Sequence, residues 1–180
     1  MIEYRTYHTG RPIGAAQKEQ VLALMREAFP PTERRTDEEQ RALFAHPLYR
    51  VHTVEEDRRV LAFMAAWSLQ EMTFFEHFAV DSALRSQGLG GKFLDHLLSG
   101  APQPAVLEVE LPEDELTRRR IGFYQRHGLF LNERFYQQLP LRPGDSPTPM
   151  FLMSFPRALS DAEFLRVRRE IYRHVYETEI

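Results

Sequence analysis

Residues 76–92 read Glu-His-Phe-Ala-Val-Asp-Ser-Ala-Leu-Arg-Ser-Gln-Gly-Leu-Gly-Gly-Lys, an apolar strand pattern through Phe78, Ala79 and Val80 that enters a glycine turn and then a helix. Glycine lets the main chain approach a ligand closely, and the first turn of a helix carries N–H groups without partners and about half a positive charge. Such a turn suits an anion such as a phosphate, and Arg85 adds a full charge beside it. Two familiar nucleotide loops fail on single residues. The dinucleotide fingerprint G-x-G-x-x-G needs a third glycine where Phe93 stands. The Walker loop needs Ser or Thr at that same position and glycine in place of Ser86. What remains is Arg85-x-x-Gly88-x-Gly90, with Ser86, Gln87, Leu89, Gly91 and Lys92 completing the turn.

Carboxylates near this turn are the next candidates for chemistry. Strand alternation over 72–80 puts Phe74, Glu76, Phe78 and Val80 on one face and Phe75, His77 and Ala79 on the other. On 105–111, Glu108 and Glu110 share a face. Burying unpaired charge is expensive, so two carboxylates on one side of a strand predict a wet cleft. Glu76 and Glu110 are the candidate bases, and each could instead be a solvated or arginine-paired side chain. His77 reads as a satisfied core histidine, because parity turns it away. Glu108, Glu110, Glu113, Asp114 and Glu115 together predict an acidic acceptor side that favours a cationic substrate, although a solvated helix start explains the last three equally well.

These residues must be positioned by regular elements. Apolar residues at helical spacing predict a helix over 15–29, stopped by Pro30 and Pro31, and the Thr36/Glu39 pair is a capping-box signature for a short second helix. Three antiparallel strands are expected over 49–56, 58–69 and 72–80, with polar breaks between them. A helix over 88–99, a strand over 105–111, a helix over 113–127 ended by Gly128, and strands over 129–136 and 150–155 follow. Four prolines within 137–149 predict an irregular loop. Ser160 with Glu163 caps a last helix whose stripe is Phe164, Val167, Ile171 and Val175. The order predicts a mixed α/β sheet.

The pattern Arg85-x-x-Gly88-x-Gly90 after a strand ending Phe78-Ala79-Val80 resembles motif A of the GNAT superfamily of acyl-CoA N-acyltransferases. About thirty-five residues on, Arg120-Ile121-Gly122-Phe123-Tyr124-Gln125-Arg126-His127-Gly128-Leu129-Phe130 is similar to its motif B. The resemblance covers residues 50 to about 155. Leu129 stands where the family usually has Phe, and Ile121-Gly122 replaces a more usual alanine-rich segment. The resemblance implies a mostly antiparallel central sheet flanked by helices. It implies that residues 78–80, 85–92 and Phe123 hold acetyl-CoA, the loop gripping the diphosphate of coenzyme A. A backbone N–H near Val80 would serve the oxyanion, and Tyr124 would act as the acid for the leaving thiolate. The chain is expected to be one domain: N-terminal helices over 1–48, a core over 49–155, and a helical extension over 156–180 that packs on the core or on a second copy in a homodimer.

Composition narrows the classes further. The 180 residues are 43% apolar and 27% charged, enough for a sizeable core. Without cysteine there is no disulfide, thiolate metal site or thiol nucleophile, so direct attack in a ternary complex is expected and no metal is called for. The formal charge of −3 disfavours nucleic acid as a partner, and no apolar run spans a bilayer, so a cytoplasmic location is expected. The expected activity is acetyl transfer from acetyl-CoA to a small-molecule or peptide amine, with a non-catalytic acyl-CoA sensor and a nucleotide-using enzyme as the competing readings.

Overall fold

The computed structural model describes residues 1–178. Seven strands form one sheet in the order β1-β2-β3-β4-β5-β7-β6: β1 Ile2–Tyr7, β2 Tyr49–Glu56, β3 Arg59–Leu69, β4 Met72–Val80, β5 Ala105–Glu110, β6 Phe130–Gln138 and β7 Thr148–Phe155. Only β4 and β5 pair in parallel, and they do so through three residue pairs, Thr73 to Phe75 with Ala105 to Leu107. Beyond Phe75 the two strands diverge, which leaves residues 76–80 of β4 without a strand on that side. The expected mixed, mostly antiparallel architecture is what forms.

Helices cover both faces. On one, α1 (Ala15–Ala28), α2 (Asp37–Leu43) and α5 (Asp161–His174) close a core that includes Val21, Met25, Phe63, Trp67, Phe74 and Ile171. On the other, α3 (Leu89–Gly100) and α4 (Glu115–Arg126) cover Phe75, Phe93, Leu94, Leu107 and Met153. Both predicted capping boxes are present: Thr36 Oγ1 accepts from Glu39 N, and Ser160 Oγ accepts from Glu163 N. The C-terminal helix packs on this chain's own core, with Phe164, Val167, Ile171 and Val175 all buried.

Three expectations need correction. The N-terminal segment is not helical throughout, because Ile2–Tyr7 forms edge strand β1 against β2. The proline-rich loop is shorter than predicted: Gln137 pairs with Pro149 and Gln138 with Thr148, so 139–147 alone is irregular. Pro149 lies beyond Met150, where the β5 pairing ends, so its missing N–H interrupts no ladder on that side. The third is parity along β4. Ala65 faces His77 but Ala66 faces Phe75, so Glu76 is an extra residue, a β-bulge.

Candidate functional site

The bulge decides which side chains meet. With Glu76 inserted, Glu76 and His77 both turn toward the face covered by α1 and α5, while Phe78 and Val80 turn toward α3. His77 is therefore not directed away from the cleft. It lines it, and its Nε2 lies 2.8 Å from the carbonyl oxygen of Glu33, in the 3₁₀ turn Pro31–Glu33 that links α1 to α2.

The opening between β4 and β5 is a cleft of about 670 Å³. On its α3 side the glycine turn takes the form the spacing predicts. Gly88 has φ +79°, with open space where a Cβ would be, and precedes the first helical residue. The first intrahelical bond is Lys92 N to Gly88 O, which leaves the amides of Leu89, Gly90 and Gly91 as the helix's partnerless donors. Gly90 lies against the β4 side chains: a Cβ there would sit 3.3 Å from Val80 Cγ2 and 3.5 Å from the Phe78 ring. Gly91 answers to packing, since a Cβ would lie 2.8 Å from His127 Cε1. Arg85 lines the cleft, anchored by Nε to Val80 O at 3.3 Å, and Ser86 adopts φ +65°. Gln87 bonds back to Ala83 O, and Lys92 is exposed on the first turn. These donors and the added cation suit a diphosphate.

Tyr124 lines the same cleft from α4. Its position is fixed by how that helix ends: Leu129 N donates to Tyr124 O and Gly128 N to Gln125 O, both at 3.1 Å, with Gly128 at φ +85°. This is a Schellman stop, which needs glycine at its left-handed residue. Burial pushes the Tyr124 phenol up to about 12 despite the opposing charge of Arg120, so it stays protonated at neutral pH. Its hydroxyl has no hydrogen-bond partner among the described residues. Phe123 packs against Tyr124 and His127, with ring centroids 5.3 and 4.8 Å away.

The predicted bases sit in different surroundings. Glu76 is in a buried ion pair, Oε1 at 2.8 Å from Arg35 Nη1, while Oε2 accepts from Trp67 Nε1 at 3.1 Å. Burial alone would raise its carboxyl, but the charge of Arg35 and the neighbouring His77 outweigh that and bring it to about 2. A carboxylate so engaged is a weak proton acceptor, and at Glu76 the arginine-paired alternative is the one that forms. Glu110 is half-exposed at the cleft and paired with Arg120 Nη1 at 2.7 Å. Glu108 shares its face, as predicted, but takes bonds from Tyr136 (2.5 Å), Gln138 (2.6 Å) and Tyr176 (2.9 and 3.0 Å). Burial pushes its carboxyl upward against those bonds. The acidic run beyond it belongs elsewhere: Asp114 caps α4 through Thr117 N at 2.8 Å, and Glu115 pairs with Arg119.

Arg35 and Glu33 had no motif to mark them. Arg35 meets Glu76 across 41 positions of chain and also donates to Val175 O at the end of α5.

The comparisons with known proteins agree with this geometry. The model of the acetyltransferase (GNAT) family matches residues 18–129. The chain belongs to the GNAT family. Over 98% of its length it superposes on 99% of a candidate GNAT acetyltransferase from Bacteroides thetaiotaomicron, with TM-score 0.89 and 32% identity. The shared GNAT fold extends to the ribosomal-protein-S18-alanine N-acetyltransferase of Escherichia coli, at 15% identity and TM-score 0.57 over 89% of this chain and 96% of that one. It also extends to Arabidopsis thaliana NAA60 in complex with acetyl-CoA, at 14% identity and TM-score 0.62 over 86% of this chain and 98% of that one. No curated protein matches this GNAT chain in sequence. Among its described residues no helix is long and apolar enough to cross a membrane, and no group of His, Asp and Glu side chains is placed to hold a metal ion.

Proposed function

We propose that this GNAT protein transfers an acetyl group from acetyl-CoA to the primary amine of a cationic acceptor by direct attack. One observation carries the reading: the diverging β4 and β5 strands open a cleft lined together by Arg85 at the entry to the glycine turn, Tyr124, and the carboxylates Glu108 and Glu110. Acetyl-CoA supplies the activated acyl carbon and a thiolate leaving group. The amides of Leu89, Gly90 and Gly91, with Arg85, hold the diphosphate, and the exposed edge of β4 near Val80 offers an N–H to the oxyanion. Phe78 and Val80 shape the wall beneath α3, Ala79 faces the opposite side, and Phe123 supports Tyr124. Tyr124 gives its proton to the departing sulfur, for which a phenol held at about 12 remains loaded. Glu110, oriented by Arg120, supplies the negative charge that draws an ammonium toward the gap, while Glu76 with Arg35 fixes the bulge. The chain has no cysteine, which fits transfer without a thiol intermediate.

The test is thiol release from acetyl-CoA across a panel of amines, run beside calorimetric CoA binding. Turnover with at least one amine is expected. Tight CoA binding without turnover would favour an acyl-CoA sensor, and preference for ATP over CoA would overturn the reading. Arg85→Ala is expected to weaken CoA binding about tenfold or more through loss of a charge-assisted contact. Unchanged CoA affinity would remove Arg85 from the diphosphate site.

A further inference from the structure

An amine of pKa about 10.4 reaches a neutral active site as ammonium, so the cleft must hold a group able to take its proton. Glu76 has both oxygens engaged by Arg35 and Trp67, Glu108 accepts from two tyrosines and a glutamine, and Glu110 is paired with Arg120. Glu33 also lines the cleft, and among the described residues its carboxylate meets no hydrogen-bond or ion-pair partner. Its main chain is fixed, because His77, turned inward by the β4 bulge, contacts its carbonyl oxygen at 2.8 Å. Glu33 is thus a free carboxylate on a backbone pinned to the strand that borders the reacting centre. It is exposed to solvent, to which a captured proton can pass.

We propose that Glu33 is the general base that takes the proton from the acceptor's ammonium. This rests on the acetyltransferase reading above. The N–H bond breaks toward a Glu33 oxygen and its electron pair stays on nitrogen, which then attacks the acyl carbon. As the C–S bond breaks, Tyr124 protonates the sulfur, and the second proton lost by nitrogen restores the phenol. The products are the amide, the free thiol and one proton released from Glu33. The groups that face Glu33 tune it. Partial desolvation at the cleft wall and the charge of Glu110 push its carboxyl above the usual range, against the opposing pull of Arg120 and His77. A base needs that direction. Asp145, on the β6–β7 loop, lines the cleft too and has an unpartnered buried oxygen, but it has no tie to β4.

The test combines kinetics with direct titration. Glu33→Gln should lower kcat by roughly 10²–10⁴ while CoA affinity and thermal midpoint stay at wild-type values, and Asp145→Asn should change kcat by less than about threefold. In carboxyl-labelled protein, NMR titration should place the Glu33 midpoint above an ordinary glutamate. Glu110→Gln, which removes a like charge, should move that midpoint to lower pH, and Arg120→Met should move it higher. The acid limb of kcat should move in the same directions. A Glu33→Gln enzyme within threefold of wild type, or a Glu33 midpoint that neither variant moves, overturns the assignment. Should no amine turn over, the acetyltransferase reading fails on its own test, and the NMR midpoints still decide whether Glu33 is tuned as a base.

Discussion

Tyr124 shows how a single residue's role depends on what holds it. A phenol at about 12 is a proton donor across the whole neutral range, and the Schellman stop fixes the carbonyl beneath it. Tyr124→Phe keeps the ring and removes only the proton. Turnover is expected to fall by roughly 10²–10⁴ with CoA affinity unchanged, and a near-wild-type rate would leave Tyr124 a packing residue. Glu76 illustrates the opposite case. Its carboxyl lies well below the usual range in the folded chain, so the stabilisation it contributes is complete above about pH 5 and is lost as pH falls toward 2. Glu76→Gln leaves Arg35 buried and unpaired, which costs about 3–5 kcal/mol. Thermal melts of the variant should show that loss at pH 7 and a flatter dependence between pH 5 and 2 than wild type. That Arg85, Glu110 and Tyr124 come together at one cleft was legible because spacing or resemblance marked them. Arg35 and Glu33 were not, since their partners lie more than forty residues away and only the folded chain brings them together.

At the scale of elements, periodicity located the helices and the central strands to within a few residues, because capping boxes, two-residue polar breaks and glycine stops act locally. Strand β1 was missed although Ile2 and Tyr4 alternate with the charged Glu3 and Arg5, a weak signal for an edge strand that exposes half of its side chains. The β4 faces were misread for a physical reason: alternation assumes one residue per position, and a bulge is set by pairing with β3, not by the residues of β4 alone. The glycine turn contains two kinds of glycine, which a substitution pair separates. Gly88→Ala meets no atom and carries only the strain of a left-handed residue, about 1–2 kcal/mol. Gly91→Ala drives a Cβ into the outer end of the His127 ring, whose Nδ1 lies 2.6 Å from Asp95, so the ring must turn away from that bond or α3 must shift. Gly91→Ala is expected to lower CoA affinity together with thermal stability, and the double variant with His127→Ala should recover most of both. Failure of that rescue would place the demand for glycine at the ligand instead of at the helix contact.

Across the whole molecule, the proposed function divides two tasks between the faces of the sheet. The α3 and α4 face carries the glycine turn proposed for the acyl donor, whereas the α1, α2 and α5 face carries Glu33, Arg35 and the Tyr176 hydroxyl that reaches Glu108. The end of the C-terminal helix is tied to the cleft on that second face: Val175 O accepts from Arg35, and Tyr176 bonds the β5 carboxylate. The cleft where β4 and β5 part is lined from both faces. Substitutions on opposite faces, without shared partners, should act independently, within about 0.5 kcal/mol. Arg85→Ala is expected to raise KM for the acyl donor and leave that of the amine unchanged. Tyr176→Phe removes the hydroxyl whose single proton is shared between the Glu108 oxygens and is expected to raise KM for the amine several-fold while CoA affinity holds. In the double variant the two effects on kcat/KM should multiply. A coupling above about 1 kcal/mol between them would show that the donor and acceptor faces are linked through the sheet, and the division of labour would then have to be redrawn.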